Sequence, residues 1–373
     1  MDKITVVHCA DLHIGASLSG LNDSADARRA EYLLTLERII EVCRERGAEL
    51  LLIAGDLFDT PSVDKETAER VFSLFASIPE TTVAISAGNH DPICADSPYK
   101  TVAIPENVHV FSDKLGMIEL KEKNVKVFGI SFVSSRFSSH IRFGAAAEES
   151  INILVMHADL DGDINGAYNP VSTAVLGDSG MDYVALGHIH KRTEILKTAR
   201  TYYAYSGCAE PSGFDETGEK GVYVGEIGKD YNTLTFVPLS HRRFEEVKVD
   251  ITGLLSSAEV VEKALNTLNE RYGADYKKNF YKIILTGAAK ESFVPDLNYI
   301  KTAVSDKVYF AKIKNETTVE VDYKALAGEF TLKGIFVKKM LEKIDSAEDK
   351  ELLLTALRLG LCAFESEVKP DEA

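Results

Sequence analysis

Gly88-Asn89-His90-Asp91 follows the apolar run Thr82-Val83-Ala84-Ile85-Ser86-Ala87 and is followed by Pro92. The run predicts a buried strand, which places an amide, an imidazole and a carboxylate at the carboxyl end of a strand, where open α/β sheets bind their ligands. Four more strand-like segments are followed by similar polar residues: Asp11-Leu12-His13, Gly55-Asp56, His157 and Gly187-His188-Ile189-His190. Five predicted strands therefore end in residues that commonly bind metal ions.

The order of the predicted elements indicates a parallel sheet at the start of the chain. The elements are a strand at 4–9, a helix at 26–46, a strand at 48–54, a helix at 64–77 and a strand at 81–87. Nearly all-apolar strands in this order are typical of a parallel sheet with helices on both faces. Shorter strands separated by turn residues follow between 108 and 238, and they indicate a second, mixed or antiparallel sheet. We predict an α/β fold with two packed sheets and flanking helices.

The pattern changes near residues 239–243. We predict three parts: 1–240 with the two sheets, 241–330 as a small α+β capping domain, and 331–373 as a C-terminal helical hairpin. The hairpin helices are predicted at 333–344 and 349–364, with Ser346 as the cap between them. Leu352, Leu354 and Leu359 make the second helix apolar over a wider surface than a two-helix contact needs. That surface is expected to meet either the α+β domain of the same chain or a partner protein.

Charge and composition restrict the classes of function. The net charge is −16, and residues 1–240 hold 21 Lys and Arg against 35 Asp and Glu. This balance argues against binding of nucleic acid through a basic surface of the chain itself, because Lys and Arg contacts to phosphates supply most of that affinity. The five cysteines lack CxxC spacing, and the first apolar run is too short for a signal peptide. We expect a cytoplasmic protein without a membrane span, structural zinc site or disulfide framework.

The five motifs offer carboxylate, imidazole and amide oxygen ligands without a thiolate, a set that suits Mn²⁺, Fe²⁺ or Zn²⁺ better than Ca²⁺. Two ions roughly 3.5–4 Å apart need a shared ligand, and the carboxylate of Asp56 is the candidate. Asp11 and His13 alternate along a predicted extended segment and so share a face, as do His188 and His190. The glycines before Asp56, Asn89 and His188 are expected to form tight turns. His90 is left free to stabilise transition-state charge or to protonate a leaving oxygen.

The pattern D-x-H, G-D, G-N-H-D, H and G-H-x-H, over roughly the first 240 residues, resembles the calcineurin-like metallophosphoesterase superfamily. The resemblance implies a two-sheet αββα sandwich and a pair of divalent metal ions. It implies that one ion is held by Asp11, His13, Asp56 and His190, and the second by Asp56, Asn89, His157 and His188. It also implies that His90 is the catalytic histidine.

A narrower resemblance is carried by Gly55-Asp56-Leu57-Phe58-Asp59, by Leu186-Gly187-His188-Ile189-His190-Lys191-Arg192 and by the smaller domain after residue 240. These features resemble the SbcD branch of DNA-repair nucleases, especially YhaO-type exonucleases. The branch implies Mn²⁺, with Fe²⁺ or Zn²⁺ as alternatives, a DNA substrate and an SbcC or SMC-like coiled-coil ATPase as partner. Archaeal and eukaryotic relatives often carry histidine at the position of Asp59, so their exonuclease details do not transfer to this chain.

The same branch implies a homodimer formed through phosphoesterase helices. In the helix predicted at 64–77, Val71, Phe72 and Phe75 form an apolar stripe that is a candidate for this contact. The alternative is that the stripe packs on the sheet of its own chain, because core helices show the same 3.6-residue spacing. The sequence leaves both interpretations open.

Three functions remain open. The first is a DNA exonuclease or endonuclease subunit, which residues 241–373 favour because a small-molecule phosphatase has little use for them. The second is a phosphatase or phosphodiesterase acting on small molecules or proteins, which the acidic charge favours. The third is a non-catalytic scaffold for the ATPase, which the intact ligand set disfavours. Arg136, His140 and Arg142 either contact a phosphate backbone or are simply solvated.

Overall fold

The computed structural model describes residues 2–17, 25–139, 141, 149–163, 165–290, 292–347 and 349–365. The strands are β1 (Lys3–Cys9), β2 (Leu50–Ala54), β3 (Thr82–Ser86), β4 (Val108–Val110), β5 (Gly116–Leu120), β6 (Val125–Ile130), β7 (Ile151–His157), β8 (Tyr183–Gly187), β9 (Leu196–Thr198), β10 (Thr201–Tyr205), β11 (Gly221–Gly228), β12 (Tyr231–Asn232), β13 (Thr235–Pro238), β14 (Phe244–Asp250), β15 (Phe280–Thr286), β16 (Ala288–Ala289), β17 (Phe310–Asn315) and β18 (Thr318–Val319).

The helices are α1 (Ala25–Arg46), α2 (Lys65–Ala76), α3 (Pro98–Thr101), α4 (Thr173–Gly177), α5 (Ser257–Tyr272), α6 (Leu297–Ser305), α7 (Tyr323–Ala327), α8 (Leu332–Asp345) and α9 (Lys350–Glu365). Short 3₁₀ turns occur at Lys121–Lys123 and Gly273–Lys278. Among the described residues, no helix has both the length and the apolar character needed to cross a bilayer.

The chain separates into two units. The first contains Met1–Glu246, Lys277–Lys282 and Val308–Phe310, and the second contains Val247–Tyr276, Ile283–Lys307 and Ala311–Ala373. The first unit holds the two large sheets and all of the predicted site residues. The second holds the helices from α5 onwards.

The first sheet has the strand order β12-β11-β1-β2-β3-β4, with β13 also paired to β11. Strands β1 to β4 pair in parallel, whereas β11 pairs antiparallel with β1. Every residue of β2 is buried. Burial on both faces explains why these strands are almost continuously apolar, as predicted.

The second sheet has the order β5-β6-β7-β8-β10-β9. Its inner strands β6, β7, β8 and β10 are parallel, and its edge strands β5 and β9 are antiparallel to their neighbours. The prediction of a second, mixed sheet is therefore correct, but four of the strands between 108 and 238 (β4, β11, β12 and β13) belong to the first sheet.

Three buried layers hold the first unit together. Between the sheets, Ile4 and Val6 of β1 pack in one cluster with Ile153 of β7. On the outer face of the first sheet, side chains of β1 and β2 pack against α1 and α2. On the outer face of the second, the strands pack against Leu176 of α4. The order helix, sheet, sheet, helix is the predicted αββα sandwich.

Helix α2 decides between the two interpretations of its apolar stripe. The carboxylate of Asp64 caps the helix by accepting a hydrogen bond from Thr67 N at 2.8 Å. Val71, Phe72 and Phe75 are at most 2% exposed and pack in the layer against the first sheet. The assignment of this stripe to a dimer interface is therefore wrong, because its side chains are core. The homodimer itself stays a prediction.

Besides the predicted hairpin helices α8 and α9, the described part of the second unit contains α5, α6 and α7. Helix α5 begins with a capping box between Ser256 and Glu259, which the sequence shows directly. Helix α6 was missed because it is short and follows a loop, although Asp296 caps its first turn. The sequence also indicates a strand at 307–313, and the corresponding strand β17 begins only at Phe310.

The C-terminal helices form the predicted hairpin, and a third segment of the chain covers part of it. Val337 and Ile344 of α8 cluster with Leu357 and Leu361 of α9, and with apolar residues at 321–327 from the strand end and α7. Part of the predicted third surface thus lies in the same chain. Ser346 ends α8, whereas the carboxylate of Asp349 caps α9 by accepting from Leu352 N at 3.0 Å.

Among the described residues, six apolar side chains in or beside the C-terminal helices are exposed, one of them Phe364 of α9. Leu352 and Leu359, seven residues apart on α9, are 65% and 67% exposed. Phe330, Leu332 and Ile335 are also largely exposed. The segment at 321–327 therefore covers only part of the apolar surface that the sequence predicts.

Phe72→Ala is expected to lower the free energy of unfolding by about 3–5 kcal/mol, because it leaves a cavity between α2 and the first sheet. Urea denaturation followed by circular dichroism measures the change. Ser73→Ala, at an exposed position of the same helix, is the control and should change stability by less than about 0.5 kcal/mol. A Phe72→Ala protein of unchanged stability and halved solution mass would restore the dimer interpretation.

Candidate metal centre

The predicted site residues meet at one end of the sandwich. The carboxyl ends of β1, β2 and β3 are neighbours in the first sheet, and those of β7 and β8 are neighbours in the second. Asp11 N donates to the carbonyl oxygen of Gly55 at 3.0 Å, and His13 N to that of Asp56 at 2.9 Å. Hydrogen bonding between the strands therefore continues into the loops that carry the first two motifs.

Two carboxylates and one imidazole form the buried centre of the site. Asp11, Asp56 and His157 are at most 1% exposed, and one ligand atom from each lies within 4.8 Å of the others. His157 Nε2 is 3.3 Å from Asp56 Oδ2, and its Nδ1 is 3.9 Å from Asp11 Oδ1. Burial of two carboxylates at such short range requires positive charge nearby.

Three imidazoles share one arrangement: Nδ1 contacts a protein acceptor and Nε2 faces the centre. Nδ1 of His157 donates to the carbonyl oxygen of Ala54 at 2.9 Å. Nδ1 of His13 contacts a carboxylate oxygen of Asp59 at 3.1 Å. Nδ1 of His190 contacts the carboxylate of Glu216. Because each acceptor oxygen favours the tautomer that carries its proton on Nδ1, the lone pair of Nε2 is directed inwards, as in histidines that bind metals.

The Nε2 atoms lie close to each other and to further oxygen atoms. His13 Nε2 and His190 Nε2 are 3.1 Å apart, and His157 Nε2 is 2.9 Å from Asn89 Oδ1. Two ring nitrogens of this tautomer repel each other unless a proton or a metal ion lies between them. Together with the buried carboxylates, the donors present fit a pair of divalent cations.

The pKa values reflect the same excess of negative charge. Burial alone would lower the pKa of His13 and of His157, but the surrounding carboxylates raise both to about 9. Burial favours a raised pKa for Asp56, but the charge and hydrogen bond of His157, the charge of His13 and the hydrogen bond from His90 N together lower that pKa. Burial, with the nearby charge of His157, lowers the pKa of His188 to about 4. The potential at the centre favours cations.

The backbone of the ligand loops differs from the predicted extended form. Asp11, His13, Asp56 and His188 have φ angles of 51°, 46°, 50° and 103°. Such left-handed conformations cost of order 1–3 kcal/mol each in non-glycine residues and cluster at functional sites. The side chains of Asp11 and His13 thus converge through strained turns, and the prediction of an alternating extended segment is wrong.

Two of the three glycines have a different role from the predicted tight turn. Gly55 has a φ of +94° and fits that prediction, whereas Gly88 and Gly187 lie outside the left-handed region. A Cβ on Gly88 would lie 2.2 Å from Asp56 Oδ1, and a Cβ on Gly187 would lie 1.8 Å from the Ala54 carbonyl oxygen. These two positions need glycine because other atoms approach so closely.

His90 lies at the solvent side of the site. Its backbone N donates to Asp56 Oδ1 at 2.8 Å, and its Nδ1 is 3.2 Å from the Asp59 carbonyl oxygen. Its ring meets the ring of His13 edge-on at 4.8 Å. Within the described parts of the chain, Nε2 of His90 has no hydrogen-bond partner. The imidazole is thus oriented but remains available to a bound substrate.

A pocket of about 480 Å³ opens beside His90. It is lined by Asp59, Thr60, Pro61, Asn89, His90, Ser135, Arg136 and Tyr168. The Tyr168 ring stacks on His188 with centroids 4.7 Å apart, and His188 lies 5.1 Å from the ring of His157. Of the three predicted basic loop residues, Arg136 lies here, whereas His140 and Arg142 fall outside the described residues.

Sequence reasoning gave no role to Asp91 or Glu216. Asp91 Oδ2 accepts from Leu57 N at 2.9 Å and from the Tyr99 hydroxyl at 2.5 Å, and its Oδ1 accepts from Gly88 N at 2.7 Å. It therefore joins the loops after β2 and β3. Its position in the stretch Gly88-Asn89-His90-Asp91 is a sequence signal that indicates a role at the site. Glu216 lies 26 positions after His190, and nothing in the local sequence marks it.

Several known proteins are similar to this chain. The family model described as calcineurin-like phosphoesterase matches residues 4–192. The chain is 25% identical to the uncharacterised metallophosphoesterase YhaO of Bacillus subtilis, over 73% of this chain and 70% of YhaO. It is 25% identical to the DNA double-strand break repair protein Mre11 of Aeropyrum pernix, over 66% of this chain and 63% of that protein.

A longer match is found with the DNA double-strand break repair protein Mre11 of Saccharolobus solfataricus, which is 22% identical over 86% of this chain and 84% of that protein. Among solved structures, the calcineurin-like phosphoesterase YfkN of Bacillus subtilis matches with a TM-score of 0.34 and 11% identity, over 64% of this chain and 89% of that one.

Asp91→Asn is expected to lower the free energy of unfolding by about 2–4 kcal/mol, because an amide cannot accept hydrogen bonds from all of these donors and leaves buried N–H groups unpaired. Urea denaturation measures the loss. Asp96→Asn, at an exposed position of the same loop, is the control and should be nearly neutral. Equal stabilities of the two variants would contradict the joining role of Asp91.

Proposed function

Because the chain belongs to the calcineurin-like phosphoesterase family, we propose that it is a metal-dependent hydrolase that cleaves phosphodiester bonds of DNA. The observation that carries the proposal is the set of three imidazoles whose Nδ1 atoms contact protein acceptors and whose Nε2 atoms face two buried carboxylates. Proteins of this family bind divalent metals and hydrolyse phosphoesters. DNA as the substrate is the narrower part of the proposal.

Two ions are assigned to the site. Asp11, His13, Asp56 and His190 would hold one of them, and Asp56, Asn89, His157 and His188 would hold the other. Mn²⁺ is the proposed metal, with Fe²⁺ or Zn²⁺ as alternatives, since imidazole and carboxylate ligands suit all three. When bound, such ions supply a water-derived nucleophile at neutral pH and stabilise the charge on the attacking and leaving oxygens.

The chain's own contribution to turnover is the orientation of His90. Asp59 contacts Nδ1 of His13 through its carboxylate and Nδ1 of His90 through its backbone carbonyl oxygen. One residue therefore sets the positions of both imidazoles. With Nδ1 occupied, Nε2 of His90 is the atom that meets the substrate phosphate. There it stabilises the developing charge or gives a proton to the leaving oxygen.

Two observations support DNA as the substrate. The relatives named for DNA double-strand break repair align over most of the chain. Beside His90, the pocket combines the guanidinium of Arg136 with the half-exposed ring of Tyr168, groups that suit a phosphate and a base. The net charge of −16 opposes a polyanionic substrate, so bound cations and a partner are expected to supply the positive potential.

The proposed partner is a coiled-coil ATPase of the SbcC or SMC-like kind. Leu352 and Leu359 lie on one face of α9 and are largely exposed, although neighbouring apolar residues are buried against α7 and α8. Apolar side chains at this spacing are typical of a helix that binds in the groove of another protein. Assembly of the chain as a homodimer is part of the same proposal.

With Mn²⁺, the purified protein is expected to degrade linear double-stranded DNA, and with Mg²⁺ alone far less, because Mg²⁺ prefers oxygen ligands and retains its water. Release of nucleotides from end-labelled duplex measures the activity. Hydrolysis of a chromogenic phosphodiester without cleavage of any DNA would instead favour a phosphatase for small molecules or proteins.

Two variants, His90→Ala and Asp56→Ala, test the roles of these residues in the same assay. The first should keep both ions by metal analysis and lose turnover by about 10²–10⁴-fold, as expected for removal of a proton donor. The second should lose ions as well, because it removes the shared ligand. An unchanged rate in His90→Ala would contradict the role given to that imidazole.

Leu352→Glu combined with Leu359→Glu is expected to abolish co-purification with a co-expressed SbcC-like ATPase of the same genome and to leave phosphodiester hydrolysis unchanged. Both side chains are exposed, so the fold should be retained, as circular dichroism will check. Glu351→Gln, at an exposed position of α9, is the matched control. Undiminished capture of the ATPase by the double variant would exclude this face as the contact.

A further inference from the structure

The segment at 207–220, which follows β10, contacts His190 at both its backbone and its ring. The carbonyl oxygen of His190 accepts from Lys220 Nζ at 3.1 Å and from Cys208 N at 3.2 Å. Nδ1 of the same residue contacts the carboxylate of Glu216. Lys220 and Glu216 are 5% and 7% exposed. His190 is therefore fixed by groups that are largely shielded from solvent.

Gly207 permits this close contact. Its φ is +71°, and a Cβ at this position would lie 2.8 Å from the carbonyl oxygen of His190 and 2.8 Å from Arg192 N. Any other residue would push the segment away from His190. The close approach of the segment to His190 thus depends on glycine at position 207.

Both oxygens of Glu216 have partners. One contacts Nδ1 of His190, and the other accepts from Ser212 N at 2.5 Å and from the Ser212 hydroxyl at 2.9 Å. A carboxylate held at both oxygens cannot rotate. The plane of the His190 ring, and the direction of its Nε2, are set by this contact.

The segment is itself anchored to α1. Glu210 accepts from Arg28 Nη1 at 2.7 Å and from the Thr35 hydroxyl at 2.8 Å, and all three side chains are at most 3% exposed. Arg28 Nη2 also donates to the Pro211 carbonyl oxygen at 2.6 Å. These buried contacts prevent the segment from moving as a loop usually does.

We propose that Glu216 is a positioning residue of the metal centre. It holds His190 in the tautomer and the orientation that direct Nε2 towards the ion. The inference rests on the proposed metal centre. A carboxylate on the far nitrogen of a metal-binding imidazole typically raises metal affinity or activity by 10–100-fold. Removal of Glu216 should weaken the binding of the ion assigned to His190. It should leave the affinity for the ion assigned to Asn89, His157 and His188 unchanged.

Titration of the full chain with Mn²⁺, followed by the electron paramagnetic resonance signal of the free ion, tests this proposal. In Glu216→Ala, one ion per chain should bind about 10–100-fold more weakly while the other is unchanged. Glu219→Gln, at an exposed position three residues along the same segment, is the control and should bind both ions as the wild type does.

A double-mutant cycle separates positioning from a general effect on the fold. In a His190→Ala background, Glu216→Ala should cause no further loss of Mn²⁺ affinity. An equal loss in both backgrounds, or wild-type affinity in folded Glu216→Ala, would overturn the proposal. If Glu216→Ala does not fold, Glu216→Gln replaces it; one amide oxygen cannot serve all three donors, so wild-type affinity in that variant would also overturn the proposal.

Ion binding is measured without DNA, so its outcome does not depend on nuclease activity. A wild-type protein that binds two Mn²⁺ ions and leaves DNA intact would contradict the proposed function alone. A wild-type protein that binds no Mn²⁺ would contradict the metal centre and the role of Glu216 together.

Discussion

Among the hydrogen bonds that join the two sheets at the site is one in which Nδ1 of His157, at the end of β7, donates to the carbonyl oxygen of Ala54, at the end of β2. At the same point the backbones of the two sheets come into contact, far closer than the roughly 10 Å of ordinary sheet packing. Gly187 leaves no room for a Cβ against the same carbonyl oxygen. The convergence of ligands from both sheets depends on this contact.

The strained loops are held by hydrogen bonds. Asp11 and His13 keep left-handed backbones because their N–H groups bond to the loop after β2. Asp91 ties that loop to Gly88, after β3. Local strain of this size persists only where several contacts determine the same conformation. The rigidity of the site is thus a property of the connected loops, and no single strand end would supply it.

The family, the αββα sandwich and the residues that converge at the site could be predicted because strands and strand-end motifs are local in the sequence. Glu216 could not, since only the folded chain brings it to His190. The Phe72 stripe was ambiguous for a physical reason: a core face and an interface have the same helical spacing. The left-handed backbone of Asp11 and His13 depends on hydrogen bonds to a distant loop, which the sequence does not display.

The spacing of the site along the chain has a kinetic consequence. His188 N donates to Asp11, 177 positions earlier, and the remaining ligands come from strands of both sheets. No continuous part of the nascent chain carries a complete binding site, and closing such long loops is an entropic cost that precedes any gain from the contacts. If the proposed ions bind here, they are not expected to nucleate folding as metal ions do in small zinc domains. Loading would follow the docking of the two sheets, and a bound ion would report that docking.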